Sequence, residues 1–321
     1  MQLSLAPMEG LVDVHMRTLL TRGGYFDYCV TEFLRVTTQL LPERSFRRIC
    51  PESDHQWKTP AGTPVHLQLL GSDPVAMAEN ACRAAELGAP VVNINFGCPS
   101  RFVNGRCGGA YLLQFPDQIH TILESVRKAL PEHVPLTAKM RLGFKDDALA
   151  LANAQAMESA GVRDICIHAR TKVQGYRPPA HWHQIKNIKQ QVKVPIIANG
   201  EIWNRRDYEA CKAASHCEHV MLGRGAVADP ELAATIKGCE SSDTWIHRLH
   251  DLIWMLDELV EFGGQSYAHG RIKQWFSFLK MSYEQAVPLF ESLKTMKEAS
   301  AIRRFLLDEI SRLENQSANV L

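Results

Sequence analysis

Cys98 sits in the run Asn95-Phe96-Gly97-Cys98-Pro99-Ser100, where a glycine and a proline flank it and stiffen the turn that presents its thiol. An unperturbed thiol ionises near ~8.5, so at neutral pH it keeps a proton that a carboxylate has already lost. That suits a general acid. The competing reading, a small buried hydrophobe, fits Cys82 or Cys166 better than a cysteine in a Gly/Pro loop. A nucleophilic cysteine hydrolase would need a paired base, and no loop residue supplies one. Lys139, in Lys139-Met140-Arg141, would stabilise negative charge developing on a reduced flavin ring, and the Gln68 amide would bond the ring edge. A buried ion pair with Glu201 is the rival for Lys139. His168, in His168-Ala169-Arg170, reads either as an anion contact or as an ordinary strand-end histidine. Two turns, Asn199-Gly200-Glu201 and Gly223-Arg224-Gly225, would let backbone amides approach a phosphate, with Arg224 adding charge-assisted hydrogen bonds. One phosphate beneath an aromatic ring system points to FMN.

These residues need a scaffold that gathers them. Short apolar or β-branched runs alternate with helix-period segments, which predicts βαβ units around a parallel sheet. Strands are expected at Leu3–Leu5, Tyr28–Thr31, Val65–Leu69, Val91–Asn95, Leu136–Lys139, Ile165–His168, Pro195–Ala198 and His219–Leu222. Helices are expected at Asp13–Thr21, Pro74–Leu87, Pro116–Ala129, Asp147–Ala160, Trp182–Lys189, Asn204–Ala214 and Pro230–Ile236. Pro74, Pro116 and Pro230 suit first helical turns, and Gly88 and Gly161 suit helix stops. Eight such repeats match an α/β fold of the (β/α)8 TIM-barrel type, whose working residues stand at the C-terminal ends of the strands. Every residue singled out above follows or ends a strand.

Beyond about Ser241 the strand signals stop. Helical periodicity takes over at Thr244–Glu261, Ser266–Leu279, Ser282–Met296 and Ser300–Glu314. The expected organisation is a catalytic barrel over 1–240, a linker at Ser241-Ser242-Asp243, and an all-helical domain over 245–321. In 321 residues Lys+Arg 36 nearly balance Asp+Glu 35, so no bulk field selects an acidic partner and any nucleic-acid surface must be a local patch. The 45% hydrophobic and 22% charged composition excludes a disordered or collagen-like chain. No run approaches the ~18 apolar residues of a membrane helix, and no basic segment precedes an apolar one at the N-terminus. Nine cysteines without a C-x-x-C pair make a poor disulfide framework. A cytoplasmic monomer with no metal and no membrane contact is expected.

The motifs Ala6-Pro7-Met8-Glu9-Gly10, Asn95-Phe96-Gly97-Cys98-Pro99-Ser100, Lys139-Met140-Arg141, His168-Ala169-Arg170, Asn199-Gly200-Glu201 and Gly223-Arg224-Gly225 resemble the tRNA-dihydrouridine synthase family over nearly the whole chain. Thr31-Glu32-Phe33-Leu34-Arg35 and Arg271-Ile272-Lys273-Gln274-Trp275 resemble its bacterial C-type branch, which acts on uridine 16 of the tRNA D-loop. The resemblance implies reduction of the uracil 5,6 double bond, with FMN recharged by NADPH. It implies FMN contacts at Pro7, Met8, Glu9, Gln68, Lys139, His168, Asn199, Gly200, Glu201, Gly223 and Arg224, and Cys98 as the acid for C5. It places Asn95, Arg141 and Tyr176 against the target uridine, which must leave its stack. Arg35, Lys273, Trp275 and Lys280 fall on the RNA side, although a solvated basic face over a packed Trp275 is the alternative there. One departure stands out: Arg106-Cys107 occupy positions where the family usually has small residues. Two rivals remain open, an FMN barrel reductase of a free pyrimidine or enone and a noncatalytic RNA-binding barrel.

Overall fold

The protein, seen here as a computed structural model, is described over residues 1–239 and 244–318. The expected linker at 241–243 lies outside the described residues. Eight strands close a barrel in chain order: β1 Gln2–Leu5, β2 Tyr28–Arg35, β3 Val65–Leu70, β4 Val92–Phe96, β5 Leu136–Gly143, β6 Ile165–Thr171, β7 Ile196–Asn199 and β8 His219–Leu222. All neighbours are parallel, and β1 returns to β8 through the register Gln2↔His219 to Leu5↔Leu222.

Helices α1 Val14–Thr21, α2 Glu43–Ile49, α3 Pro74–Glu86, α4 Arg101–Asn104, α5 Pro116–Ala129, α6 Ala150–Ser159, α7 Trp182–Lys189, α8 Arg205–Ser215, α9 Arg224–Ala228 and α10 Leu232–Lys237 connect and follow the strands. Local chemistry starts and stops them. Asp13, Asp73 and Asn204 each accept a backbone N–H two or three residues into α1, α3 and α8, satisfying donors that the helix itself leaves free. Pro74 and Pro116 occupy first-turn positions as expected, whereas Pro230 lies just ahead of α10, whose N-cap is Glu231. The sequence reading passed over α2, α4 and α9, each a turn or two long.

Most of the core lies between strands and helices. The barrel interior holds a smaller cluster of Ala6, Tyr28, Val30, Cys166, Ile197 and Met221, contributed at alternate positions of the strands.

The C-terminal region comprises α11 Trp245–Leu279, α12 Ala286–Leu293 and α13 Ala299–Ala318. The two helices expected at 244–261 and 266–279 are α11, broken at Gly264, whose φ of 78° is closed to a continuing helix. The third is shorter than expected because its ends turn before Ala286 and after Leu293. Specific bonds seat this region on the barrel. Arg22 pairs with Asp251, Arg271 donates to the Gly10 and Leu11 carbonyls at 2.7 and 2.9 Å and to Asp13 at 2.8 Å, and Tyr283 donates to Asp229. Among the described residues no helix is long and apolar enough to cross a membrane.

Candidate active site

A cavity of about 420 Å³ opens at the C-terminal ends of the strands, within the usual range for small-molecule sites. Its wall gathers, from seven strands or the loops after them, Pro7, Met8 and Glu9, Gln68, Asn95 and Cys98, Lys139 and Arg141, His168 and Tyr176, Asn199 to Glu201, and Gly223 with Arg224. The expected polar set thus meets in one place.

Cys98 is buried at this wall. Its carbonyl accepts from Ala110 N–H at 3.1 Å and from the Asn104 amide at 3.0 Å, so the turn is tied down on both sides. Burial, with a smaller push from Glu9, raises the thiol pKa against the opposing Ser100 N–H and Arg141. The proton is therefore held more firmly than on a free cysteine. Cys107 is exposed and is not part of the cavity wall.

Lys139 donates to the Asn199 Oδ1 atom at 2.9 Å. Burial, and then the neighbouring Arg141, lower its pKa. The rival pairing with Glu201 is not formed: that carboxylate is bonded to Arg170, accepts the Trp203 indole N–H at 3.0 Å, and lies 3.8 Å from Arg224. Burial and four surrounding cations, Arg141, Lys139, Arg170 and Arg224, drive the His168 pKa well below its ordinary value. At neutral pH His168 is a neutral imidazole, not a cation.

The Gln68 side chain is fully buried and oriented by a relay of amides. The Asn95 amide donates to Gln68 at 2.8 Å, Gln68 to Asn93 at 2.7 Å, and Asn93 to the Thr137 hydroxyl at 2.8 Å. Asn93 was missed as a site residue, although Asn93 and Asn95 stand two apart on one strand and so share a face. Arg141 is also committed: its Nε donates to the Gly97 carbonyl at 2.9 Å, and Nη1 to Thr171 and Gly175 at 3.2 and 2.9 Å. It braces the Cys98 turn from below. Tyr176 is about half exposed, with Arg224 4.6 Å and Arg141 5.1 Å from its ring centre.

Gly200 has a φ of 112°, and a Cβ there would lie 2.5 Å from the His168 ring. The loop after β7 therefore approaches the strand-six residue as only glycine allows. The cationic character of this wall, with Lys139 lacking a carboxylate partner among the described residues, fits an anionic ring-and-phosphate ligand such as a flavin nucleotide.

The remaining expected residues lie elsewhere. Trp275 is wholly buried and donates its indole N–H to the Val227 carbonyl at 3.0 Å, so it packs α11 onto the barrel and offers no face to a base. This corrects its assignment to the RNA side. Lys273 donates to the Met296 carbonyl within the helical region, whereas Lys280 is exposed, with its Nζ 4.3 Å from the Phe290 ring centre. Arg35 lies at the end of β2 over the Phe102 ring. Sequence reasoning also missed Phe33, Trp203, Gln274 and Phe278 as cavity residues. The last two come from α11, with Gln274 inside a motif already noticed and Phe278 four residues on, on the same face. Among the described residues no group of three or more His, Cys, Asp or Glu is placed to hold a metal.

The dihydrouridine synthase family model matches residues 4–313. A tRNA-dihydrouridine(16) synthase of Pseudomonas putida is 47% identical over 98% of this chain and 99% of its own length. One of Shewanella oneidensis is 46% identical over 95% and 97%. Among solved structures, a 2-naphthoyl-CoA reductase complex superposes with a TM-score of 0.56 at 15% identity, covering 74% of this chain and 50% of that one. An old yellow enzyme homologue from Zymomonas mobilis gives 0.51 at 11% identity, covering 75% and 90%. The distant structures share the fold; the near relatives share the chain from end to end. With its barrel, its cavity and this match over almost its whole length, the chain belongs to the dihydrouridine synthase family.

Proposed function

We propose that this enzyme reduces the C5–C6 double bond of uridine 16 in the D-loop of tRNA, using FMN as its flavin and NADPH as electron donor. The observation that carries the reading is the buried, proton-retaining Cys98 thiol on the wall of the same cavity as Lys139. The substrate class and position rest on the relatives above, each a tRNA-dihydrouridine(16) synthase.

Bound FMN would supply a hydride to C6 of the base, with its electrons drawn from NADPH. The chain's own work is the rest. Gln68, held by the Asn95–Asn93 relay, and Lys139 would meet the ring edge, with Lys139 balancing negative charge. The glycine-bearing turns at Gly200 and Gly223, with Arg224 and neutral His168, would receive the phosphate. Pro7, Met8, Glu9, Asn199 and Glu201 complete that wall. Cys98 delivers its proton to C5, and hydride plus proton leave a saturated C5–C6 bond. Asn95 and the exposed Tyr176 ring would hold the uracil, while Arg141 keeps the Cys98 turn in register through Gly97. We assign this activity to a cytoplasmic monomer, with 1–240 as the catalytic unit and 245–321 as the part that recognises tRNA.

A reductase of free pyrimidines is the second reading. Gln274 and Phe278 weigh against it, because a helical appendage that lines the mouth suits a substrate much larger than a base. The test maps dihydrouridine in total tRNA from a strain lacking the gene, then after add-back of yellow protein with NADPH. Loss and restoration at position 16 are expected. No change at any position, with turnover of free uracil, would replace the tRNA reading by the second one.

A further inference from the structure

Beside the cavity mouth, α4 presents an exposed phenyl ring with two guanidinium groups laid against it. Phe102 is 57% exposed, and the guanidinium carbons of Arg35 and Arg106 stand 4.4 and 3.8 Å from its ring centre. Among the described residues neither arginine, nor the adjacent exposed Arg101, has an ion-pair partner. Three uncompensated cations close to one another repel, and an exposed phenyl ring costs hydration free energy. Core packing explains none of this, since α4 buries Val103 and Asn104 instead.

The cluster is rigidly joined to the site. Ser100, which lines the cavity, immediately precedes α4, and Asn104 donates both to the Ser100 carbonyl at 2.6 Å and to the Cys98 carbonyl at 3.0 Å. On the other side Arg35 ends the strand that brings Phe33 into the cavity wall. A guanidinium resting on an aromatic face has already lost part of its rotamer freedom, while its N–H edge stays available for bidentate bonding. Phosphodiesters match that edge.

We infer that Phe102 is the platform of a phosphodiester-binding site, in which Arg106, preorganised on the ring, grips the RNA backbone next to the nucleotide drawn into the cavity. Arg106 contacts phosphate directly, and Phe102 is a positioning residue acting through it. The inference rests on the tRNA reading of the site. It also moves the centre of the RNA surface away from Lys273, which is bonded to the Met296 carbonyl, to the barrel rim, where Arg35, Arg101 and Arg106 have no ion-pair partner among the described residues.

The experiment measures binding of an unmodified tRNA transcript to the flavin-loaded protein across a potassium chloride series, for wild type, Arg106→Gln, Arg106→Lys and Phe102→Leu. Flavin absorbance and reduction by NADPH serve as controls for folding. Each lost phosphate contact should flatten the slope of log affinity against log salt by about 0.7–0.9. Arg106→Gln should show that flattening and bind more weakly, and Arg106→Lys should recover the slope. Phe102→Leu retains every charge, so its slope should match wild type while its affinity falls about two- to fivefold. A merely structural ring would not separate slope from affinity in this way. Unchanged affinity and slope in Arg106→Gln would overturn the inference, as would a Phe102→Leu protein that binds like wild type. Tight, salt-dependent tRNA binding by a wild-type protein that forms no dihydrouridine would sink the reaction while these slopes still judge the platform. No binding of tRNA by wild type would remove both.

Discussion

At Cys98, position and protonation come from the same cause. The bonds from Ala110 and Asn104 fix the turn, and the burial they bring raises the thiol pKa. A general acid must carry its proton, so the sign is direct: a raised pKa keeps the acid competent through neutral pH, and competence is lost as pH rises through the elevated value. Single-turnover reduction of tRNA by pre-reduced enzyme should stay level across neutral pH and decline only above the ordinary thiol value of about 8.5. Cys98→Ala should bind flavin normally, lose at least about 100-fold in that rate, and show no alkaline decline. A variant that keeps both rate and decline would remove Cys98 from the acid role. The residue types that carry this chemistry were legible because a thiol between glycine and proline, or a lysine within a largely buried strand, has few structural reasons to be there. Trp275 was misread because an indole serves base stacking and core packing equally well, and only the carbonyl of Val227 decides between them.

At the scale of elements, the last two barrel loops hold one another in place. A Cβ on Gly225 would collide with the Ile202 carbonyl, a backbone atom with nowhere to move. Gly225→Ala should separate the loops after β7 and β8, lower flavin affinity at least tenfold, and destabilise the fold by about 1–3 kcal/mol. Fluorescence titration with FMN and urea unfolding check the two effects, and unchanged flavin affinity would show that the loops need not touch to form the site. All eight strands could be read from the chain, since each is a short apolar run closed by turn residues. Their ends could not: β2, β5 and β6 continue through Arg35, Gly143 and Thr171. Polar residues there look like loop, but neighbouring strands keep the backbone paired up to the barrel mouth. Short α4 and α9 span barely one turn, too little for a hydrophobic period to register.

Across the whole molecule, Arg271 joins the helical region to the loop after β1 that carries Met8 and Glu9. Its guanidinium holds the Gly10 and Leu11 carbonyls and Asp13 in a largely buried setting. Removing it leaves the Asp13 carboxylate and two carbonyls without that partner. Arg271→Met should cost about 3 kcal/mol in urea unfolding and weaken FMN binding, though it lies outside the flavin cavity. Loss of stability with unchanged flavin affinity would show that the first loop holds its shape unaided. Arg248 and Arg271 are spent on such internal seams, and the proposed RNA contact falls to the rim arginines. Gln274 and Phe278 give the molecule an order of assembly as well as a shape. Every strand of the barrel leaves the ribosome before they do, so a nascent chain can close its barrel while one side of the cavity is still missing. The pocket becomes whole only once α11 has been synthesised and docked, so the last part of its wall to be made is also the last to be put in place.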